Sequence, residues 1–273
     1  MHAASAMTTP AARTLAEFAV GLHYERIPNE VIQRAKTCII DTIGAMTFGA
    51  PLPWSRIMIE YVQRTSLPGK GSIVGTTHKV RGQMAALANG VLAHSFELDS
   101  LCQPGVGVHP GASLTAPGIP VAQAQGRSGK ELLTAFVAGF EVMYRIGDAT
   151  CHSSESIGFH NPGLTGVFGG AVIAGLLMKL DSDRMTNALG IAGSLCSGLL
   201  EFSRSGGGMV KRMHLGARLK AERWQLRWRV KASRDRRPCS RGTTAFSRRS
   251  RRSATPRVSR KASAKSGTRS RPC

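Results

Sequence analysis

Apolar positions recur along most of this chain with the three-to-four-residue spacing of helices that bury one face. Thr9-Pro10 is a helix start, cap then first-turn proline, and Leu15, Phe18 and Leu22 follow at helical spacing. Pro28 opens a second helix whose stripe is Val31, Ala35, Ile39, Ile43 and Met46; Asp41 interrupts it and is expected at the surface or in a helix contact, not in catalysis. Trp54 to Arg64 predicts a third amphipathic helix. Gly69 to Gly75 reads as a turn with one short strand. It lacks the G-x-x-x-x-G-K-S/T spacing that wraps backbone N–H groups around a phosphate.

Val80 to Ala93 is rich in alanine and glycine, which let helices approach closely, so this segment is expected at the centre. Ser128-Gly-Lys-Glu131 is a capping box that starts a helix running to about Ile146. Two further helices, Leu164–Leu180 and Asp183–Phe202, are apolar nearly all round and must be buried by other helices. Leu164 to Met178 is short for a bilayer span of roughly 20 residues, so it is read as a core helix and no membrane association is expected. The fold class that follows is all-α, a helical body over residues 1–216.

After Gly216 the composition changes. Leu226 is the last leucine, isoleucine is absent, and Arg, Ser, Pro, Gly, Thr and Ala dominate. Residues 217–273 are expected to be disordered, with a short helix or strand at most over Ala217–Val230. The net charge of +21 is concentrated there: 20 Lys and Arg stand against Glu222 and Asp235, while the body holds 17 basic and 14 acidic side chains. A tail of that charge binds polyanions nonspecifically through counterion release. A nucleic-acid-binding protein using the tail is therefore the alternative function. It has few interleaved aromatics for stacking, and removing residues 217–273 would separate the two readings. Six cysteines with no C-x-x-C pair suit a reducing compartment. With no secretory signal apparent, a cytoplasmic location is expected.

Candidate chemistry is concentrated in two places. His94-Ser-Phe-Glu97-Leu-Asp99 through His109-Pro110 gathers two carboxylates, two imidazoles and Cys102 just past the small-residue helix. Lys211-Arg212-Met213-His214 is a second, basic cluster. Together they suggest an acid/base site for an anionic small molecule. His94, Glu97, Asp99, Cys102 and His109 are all metal-ligand types, yet no H-E-x-x-H or paired-cysteine spacing is present, so no metal is expected. The absence of a G-x-S-x-G elbow argues against a serine hydrolase.

Four segments in consistent order carry a family resemblance: Asp41-Thr-Ile-Gly44; Ala88-Asn-Gly-Val-Leu-Ala-His94 with Glu97-Leu-Asp99; His109-Pro-Gly-Ala112; and Lys211-Arg-Met-His-Leu-Gly216. Over Thr14 to Gly216 the chain resembles the MmgE/PrpD family, which includes 2-methylcitrate dehydratase, cis-aconitate decarboxylase and iminodisuccinate epimerase. The resemblance implies a large helical domain with a smaller α/β lid, a homodimer, and cofactor-free lyase or isomerase chemistry on di- and tricarboxylates such as 2-methylcitrate or cis-aconitate. Two departures stand out. The acidic motif is Glu97-Leu-Asp99-Ser100 where aspartates are usual, and Arg/Ser-rich sequence follows Gly216 where the lid would begin. The lid is thus expected to be missing and activity weak. Sixteen of the tail's 20 basic residues are arginine, as GC-rich codons yield when read out of phase. A reading-frame shift near Ala217 is the expectation, tested by translating the gene beyond Gly216 in the other two frames.

The resemblance gives roles to six residues. Removing a proton beside a carboxylate, or expelling hydroxide or CO₂ next to one, needs a base titrating near neutrality and cations facing the substrate. His109 is the expected general acid or base; by its own sequence context it also reads as a loop histidine bonded to backbone. Glu97 and Asp99 are expected to orient His109 or hold a substrate hydroxyl or water, and otherwise read as a solvated acid pair at a helix end. Lys211 would bind a substrate carboxylate, with His214 behind it, unless it is an ordinary surface lysine. His160 matches a family histidine, and the N-terminus of the helix after it would favour an anion. These roles require His109 and Lys211 to face a common cavity.

Overall fold

The computed structural model describes residues 10–102, 107–151, 153–204 and 206–216. Nine α-helices are delimited among them: α1 Ala11–Gly21, α2 Asn29–Gly49, α3 Pro53–Thr65, α4 Gly82–Ala93, α5 Pro110–Gln125, α6 Gly129–Thr150, α7 Ser153–Ser156, α8 Asn161–Leu177 and α9 Ser182–Leu195. Residues 208–216 form a further helical segment. The expectations of disorder and of a short element over residues 217–273 lie outside the described residues, as does Thr9. The all-α class holds, with one small addition. Strands β1 Pro68–Ser72 and β2 Lys79–Val80 form a bulged antiparallel hairpin in the segment read as a turn and a strand. Asn89 of α4 ties this hairpin down: its side chain accepts from Val74 N at 3.0 Å and donates to Ser72 O at 3.1 Å.

Small residues decide where the layers touch. In α1 the core-facing stripe is Ala12, Ala16 and Ala19, one step round from the expected Leu15–Phe18–Leu22, and Phe18 is exposed. Alanine lets α1 lie closely on α9, and the larger side chains flank the contact. In α2 the buried positions are Ile32, Ala35, Thr42, Met46 and Gly49, so the expected stripe is only partly used; Asp41 is exposed as anticipated. At the α6–α8 crossing a Cβ on Gly139 would lie 3.0 Å from Gly169 O and 2.8 Å from a Leu114 methyl. Only glycine permits that spacing.

The centre consists of α4, α5 and α8, each buried on nearly every face. α5 was not anticipated, because Pro117 and Pro120 interrupt its sequence. It is tolerated there because α6, α8, α4 and the hairpin enclose it. The capping box is present: Ser128 Oγ accepts from Glu131 N at 3.2 Å, and the helix it starts runs to Thr150, beyond the expected end near Ile146. α9 stops at Leu195, short of Phe202, and Gly198 turns the chain at φ 134° into a 3-10 turn over Leu200–Ser203. Among the described residues no helix is long and apolar enough to cross a membrane.

Candidate active site

The four sequence motifs, scattered over the chain, meet at one end of α4, α5 and α8. Gly111, in the first turn of α5, packs so closely on α2 that a Cβ would lie 2.3 Å from Thr42 Oγ1 and 2.6 Å from Ser100 Oγ. Gly216, at the end of the 208–216 segment, does the same against α4, with Leu87 O 2.6 Å from its would-be Cβ. The first contact sets the start of α5, and with it His109. The second sets the segment that carries Lys211 and His214.

His94 caps the C-terminus of α4 and is fully buried. Its Nδ1 lies 3.1 and 3.0 Å from the two carboxylate oxygens of Asp99 and donates to them. The Asp99 side chain is only 1% exposed. His109, the residue before α5, brings its Nδ1 to 2.8 Å from Asp99 Oδ2, but at an angle that does not make a hydrogen bond. Two bonds hold this loop closed: Gly111 N donates to Ser100 Oγ at 3.1 Å, and Cys102 N to Val108 O at 3.0 Å.

The opposite wall comes from α8 and the 208–216 segment. His160 stands before α8 with its N–H on Gly198 O at 2.9 Å. Its Nδ1 is 3.3 Å from that of His214, and Phe202 packs edge-on against both rings. Lys211 Nζ lies 5.9 Å from the Phe202 ring centroid and is ion-paired with Glu97. Next to it Arg212 donates from Nε to Ser95 O at 2.8 Å and stacks its guanidinium 4.5 Å from the Trp54 ring centroid. The imidazoles form a continuous row: ring centroids are 5.4 Å apart for His94–His109, 5.9 Å for His94–His160 and 5.4 Å for His160–His214.

Burial and charge oppose each other at Asp99 and act together at His160. Burial favours the neutral acid at Asp99, but His109 and His94 outweigh it and hold the carboxyl well below its ordinary range, so Asp99 is an anion. His160 is pushed down to about 3, first by burial and then by its neighbours His94, His214, Lys211 and His109. It is therefore a neutral imidazole at physiological pH, able to accept a hydrogen bond at one nitrogen and donate one at the other.

His109, Asp99, His160, His214 and Lys211 are brought together. Glu97 is not brought to His109. It sits in the left-handed region at φ 56°, which turns its side chain outward, 59% exposed, onto Lys211. Of the two acids only Asp99 reaches an imidazole. His109 and Lys211 both act on His160, yet neither lines the two prominent cavities, of about 420 and 490 Å³. Both side chains are partly exposed, 18% for His109 and 20% for Lys211. Phe202 was read only as the end of an apolar helix, and no sequence signal marks it as a site residue. His94, given no role by the sequence reading, is the histidine whose Nδ1 is in hydrogen-bonding alignment with Asp99.

His94, Asp99 and His109 place one donor atom each within 4.8 Å of one another, a set whose chemistry suits zinc or iron. Against that use, the hydrogen on His94 Nδ1 already lies on the Asp99 oxygens a metal would take. The residues fit a proton-transfer network better than a metal centre.

Residues 13–221 match the model of the MmgE/PrpD N-terminal domain. The chain is 33% identical over 210 residues to cis-aconitate decarboxylase of Aspergillus terreus, an alignment covering 74% of this chain and 42% of that protein. To cis-aconitate decarboxylase of Homo sapiens it is 30% identical over 178 residues, or 63% of this chain and 37% of that one. A cis-aconitate decarboxylase-like protein of Aspergillus oryzae is 30% identical over 195 residues, with 68% and 40% covered. The chain thus spans about two fifths of the length of the curated relatives it matches. By the domain matched over most of its length, this chain belongs to the MmgE/PrpD family.

Proposed function

We propose that this domain provides the acid/base half of a cofactor-free lyase site for a small di- or tricarboxylate, with cis-aconitate decarboxylation favoured over 2-methylcitrate dehydration. The observation that carries the reading is the Asp99 carboxylate, buried and ionised between His94 and His109, with Lys211 in the same cluster. Its relatives' names favour the decarboxylase over the dehydratase.

In this reading Lys211 receives one substrate carboxylate as a point charge, displacing Glu97. Loss of CO₂ from a carbon next to an alkene leaves an electron pair that delocalises towards the remaining carboxylate. A proton must then be delivered to carbon. His109 as imidazolium, charge-balanced by Asp99, supplies it and leaves as neutral imidazole; bulk water returns the proton. His160, neutral and beside His214, hydrogen-bonds a substrate oxygen. For dehydration the same groups would work in the other order, with His109 as base.

Exposed apolar side chains on the segments that carry the site support a covered rim: Phe96, Leu98, Leu101, Leu199, Met209 and Met213 are all about half exposed or more. We take this rim as the surface that a covering element or a second copy of the chain meets, consistent with the expected homodimer. Without that cover, turnover is expected to be weak. Assaying the chain with cis-aconitate for CO₂ release and with 2-methylcitrate for water loss tests the assignment. His109→Ala should lower whichever activity is found by about 10²–10⁴-fold. Unchanged turnover in that variant would remove His109 from the chemistry.

A further inference from the structure

We propose that His94 is the positioning residue of this site: through its Nδ1–H it orients Asp99, and Asp99 in turn holds His109. The inference rests on the reading above only in assuming that His109 exchanges the proton. It gives a role to a residue that the resemblance includes in a motif but that is not among the six expected site positions.

The geometry is asymmetric. Asp99 meets two imidazoles, but only His94 meets it in hydrogen-bonding alignment, and it does so to both oxygens, at 3.1 and 3.0 Å. His109 Nδ1 comes closer, 2.8 Å, yet misaligned. The carboxylate is therefore fixed by the histidine that cannot reach solvent and is left available to the histidine that can. Donation from Nδ1 also sets the His94 tautomer, placing a lone pair at Nε2 in the neutral ring.

An ordinary core histidine satisfies both ring nitrogens. His94 does not: it is fully buried, and among the described residues its Nε2 has no hydrogen-bond partner. A polar atom kept in that state is destabilising, and an apolar side chain of similar size would avoid it. What the imidazole supplies in exchange is, among the described residues, the one aligned side-chain donor to a buried carboxylate that must stay charged. His94 is also anchored rigidly, as the cap of a helix whose residues are almost all buried. The ring lies between those of His109 and His160, 5.4 and 5.9 Å from their centroids. It therefore sets the spacing of the two walls as well.

Two near-isosteric substitutions separate this role from simple packing. Asparagine places its amide N–H close to the position of Nδ1 and keeps the bond to Asp99. Glutamine places its amide near Nε2 and loses it. The full chain carrying His94→Asn should keep the ¹⁵N shifts of the His109 ring nitrogens close to wild type at fixed pH. His94→Gln should shift them as Asp99→Asn does. Where turnover is measurable, His94→Gln should lose at least tenfold in kcat with little change in KM, and His94→Asn much less. Identical His109 spectra in wild type and His94→Gln, with both chains folded by circular dichroism, would overturn the proposal. So would equal effects of the two substitutions. The ring-shift readout needs no turnover, so it fails or succeeds separately from the His109→Ala assay.

Discussion

The Nδ1 atoms of His160 and His214 face each other at 3.3 Å, so one ring must donate and the other accept. Charging His160 would place a second proton against that contact, in a buried position already near Lys211. His160 titrates near 3 in the folded protein against an ordinary value of 6.5, so the unfolded chain binds its proton first. The stability that this neutral histidine contributes is thus complete above about pH 6.5 and is lost as pH falls towards 3. The slope approaches about 1.4 kcal/mol per pH unit for one proton. Asp99, with its lowered pKa, adds a loss of the same sign at more acid pH. Urea midpoints at pH 7, 5.5 and 4.5 should fall steadily in wild type and less steeply in His160→Gln. An equal slope in both would place the acid sensitivity elsewhere.

Glu97 holds Lys211 in the position where a substrate carboxylate is proposed to bind. The pair is exposed on the glutamate side, so it contributes little stability, about 0–1 kcal/mol. Its removal should instead show in binding. Glu97→Gln is expected to tighten binding of an unreactive tricarboxylate such as tricarballylate by a few fold at low salt, read by calorimetry, while Lys211→Ala abolishes it. Weaker binding in Glu97→Gln would show that Glu97 assists the ligand instead of competing with it.

The sequence made the helical class and most helices legible, because periodicity and the Ser128–Glu131 capping box are local signals. Where it misled, long-range packing was the cause. The stripe in α1 moved to alanines because α9 needed close approach. α5 was invisible because Pro117 and Pro120 are unfavourable unless neighbouring helices enclose them. At the site, residue types pointed to the His94–His109 and Lys211–His214 segments, and the family resemblance singled out His160 and gave the residues their roles. The separate fates of Glu97 and Asp99, two positions apart, depend on the left-handed backbone at Glu97, and no side-chain pattern encodes that. The bond between His94 and Asp99 was equally hidden, since it exists only once the loop closes.

Arg212 fastens the 208–216 segment to the end of α4 through Ser95 O and the Trp54 ring. A partly buried stack plus a charge-assisted bond predicts a loss of about 1–3 kcal/mol in Arg212→Ala. Lysine keeps the charge without the planar donor set, so Arg212→Lys should fall between the two. Urea unfolding measures both. Full rescue by lysine would mean that the planar geometry is unimportant.

Gly111 joins two of the family's motifs, and a single methyl there tests whether that contact sets the site. Its Cβ would lie 2.3 Å from Thr42 Oγ1 and 2.6 Å from Ser100 Oγ. Neither atom is free to swing away: Thr42 Oγ1 is buried and donates to Cys38 O at 2.7 Å, and Ser100 Oγ accepts from Gly111 N. Gly111→Ala must therefore shift the first turn of α5 away from α2, at about 1–3 kcal/mol for an overpacked core position. The shift begins two residues after His109 and pushes on the residue following Asp99, so the Asp99–His109 approach should loosen along with stability. Thr42→Ala removes the nearer of the two obstructing atoms. In a Gly111→Ala, Thr42→Ala double-mutant cycle the destabilisation should be less than additive, with a coupling above about 0.5 kcal/mol. Additive losses would mean that α5 is positioned by its contacts with α4 and α8, and that the Thr42–Gly111 approach is incidental.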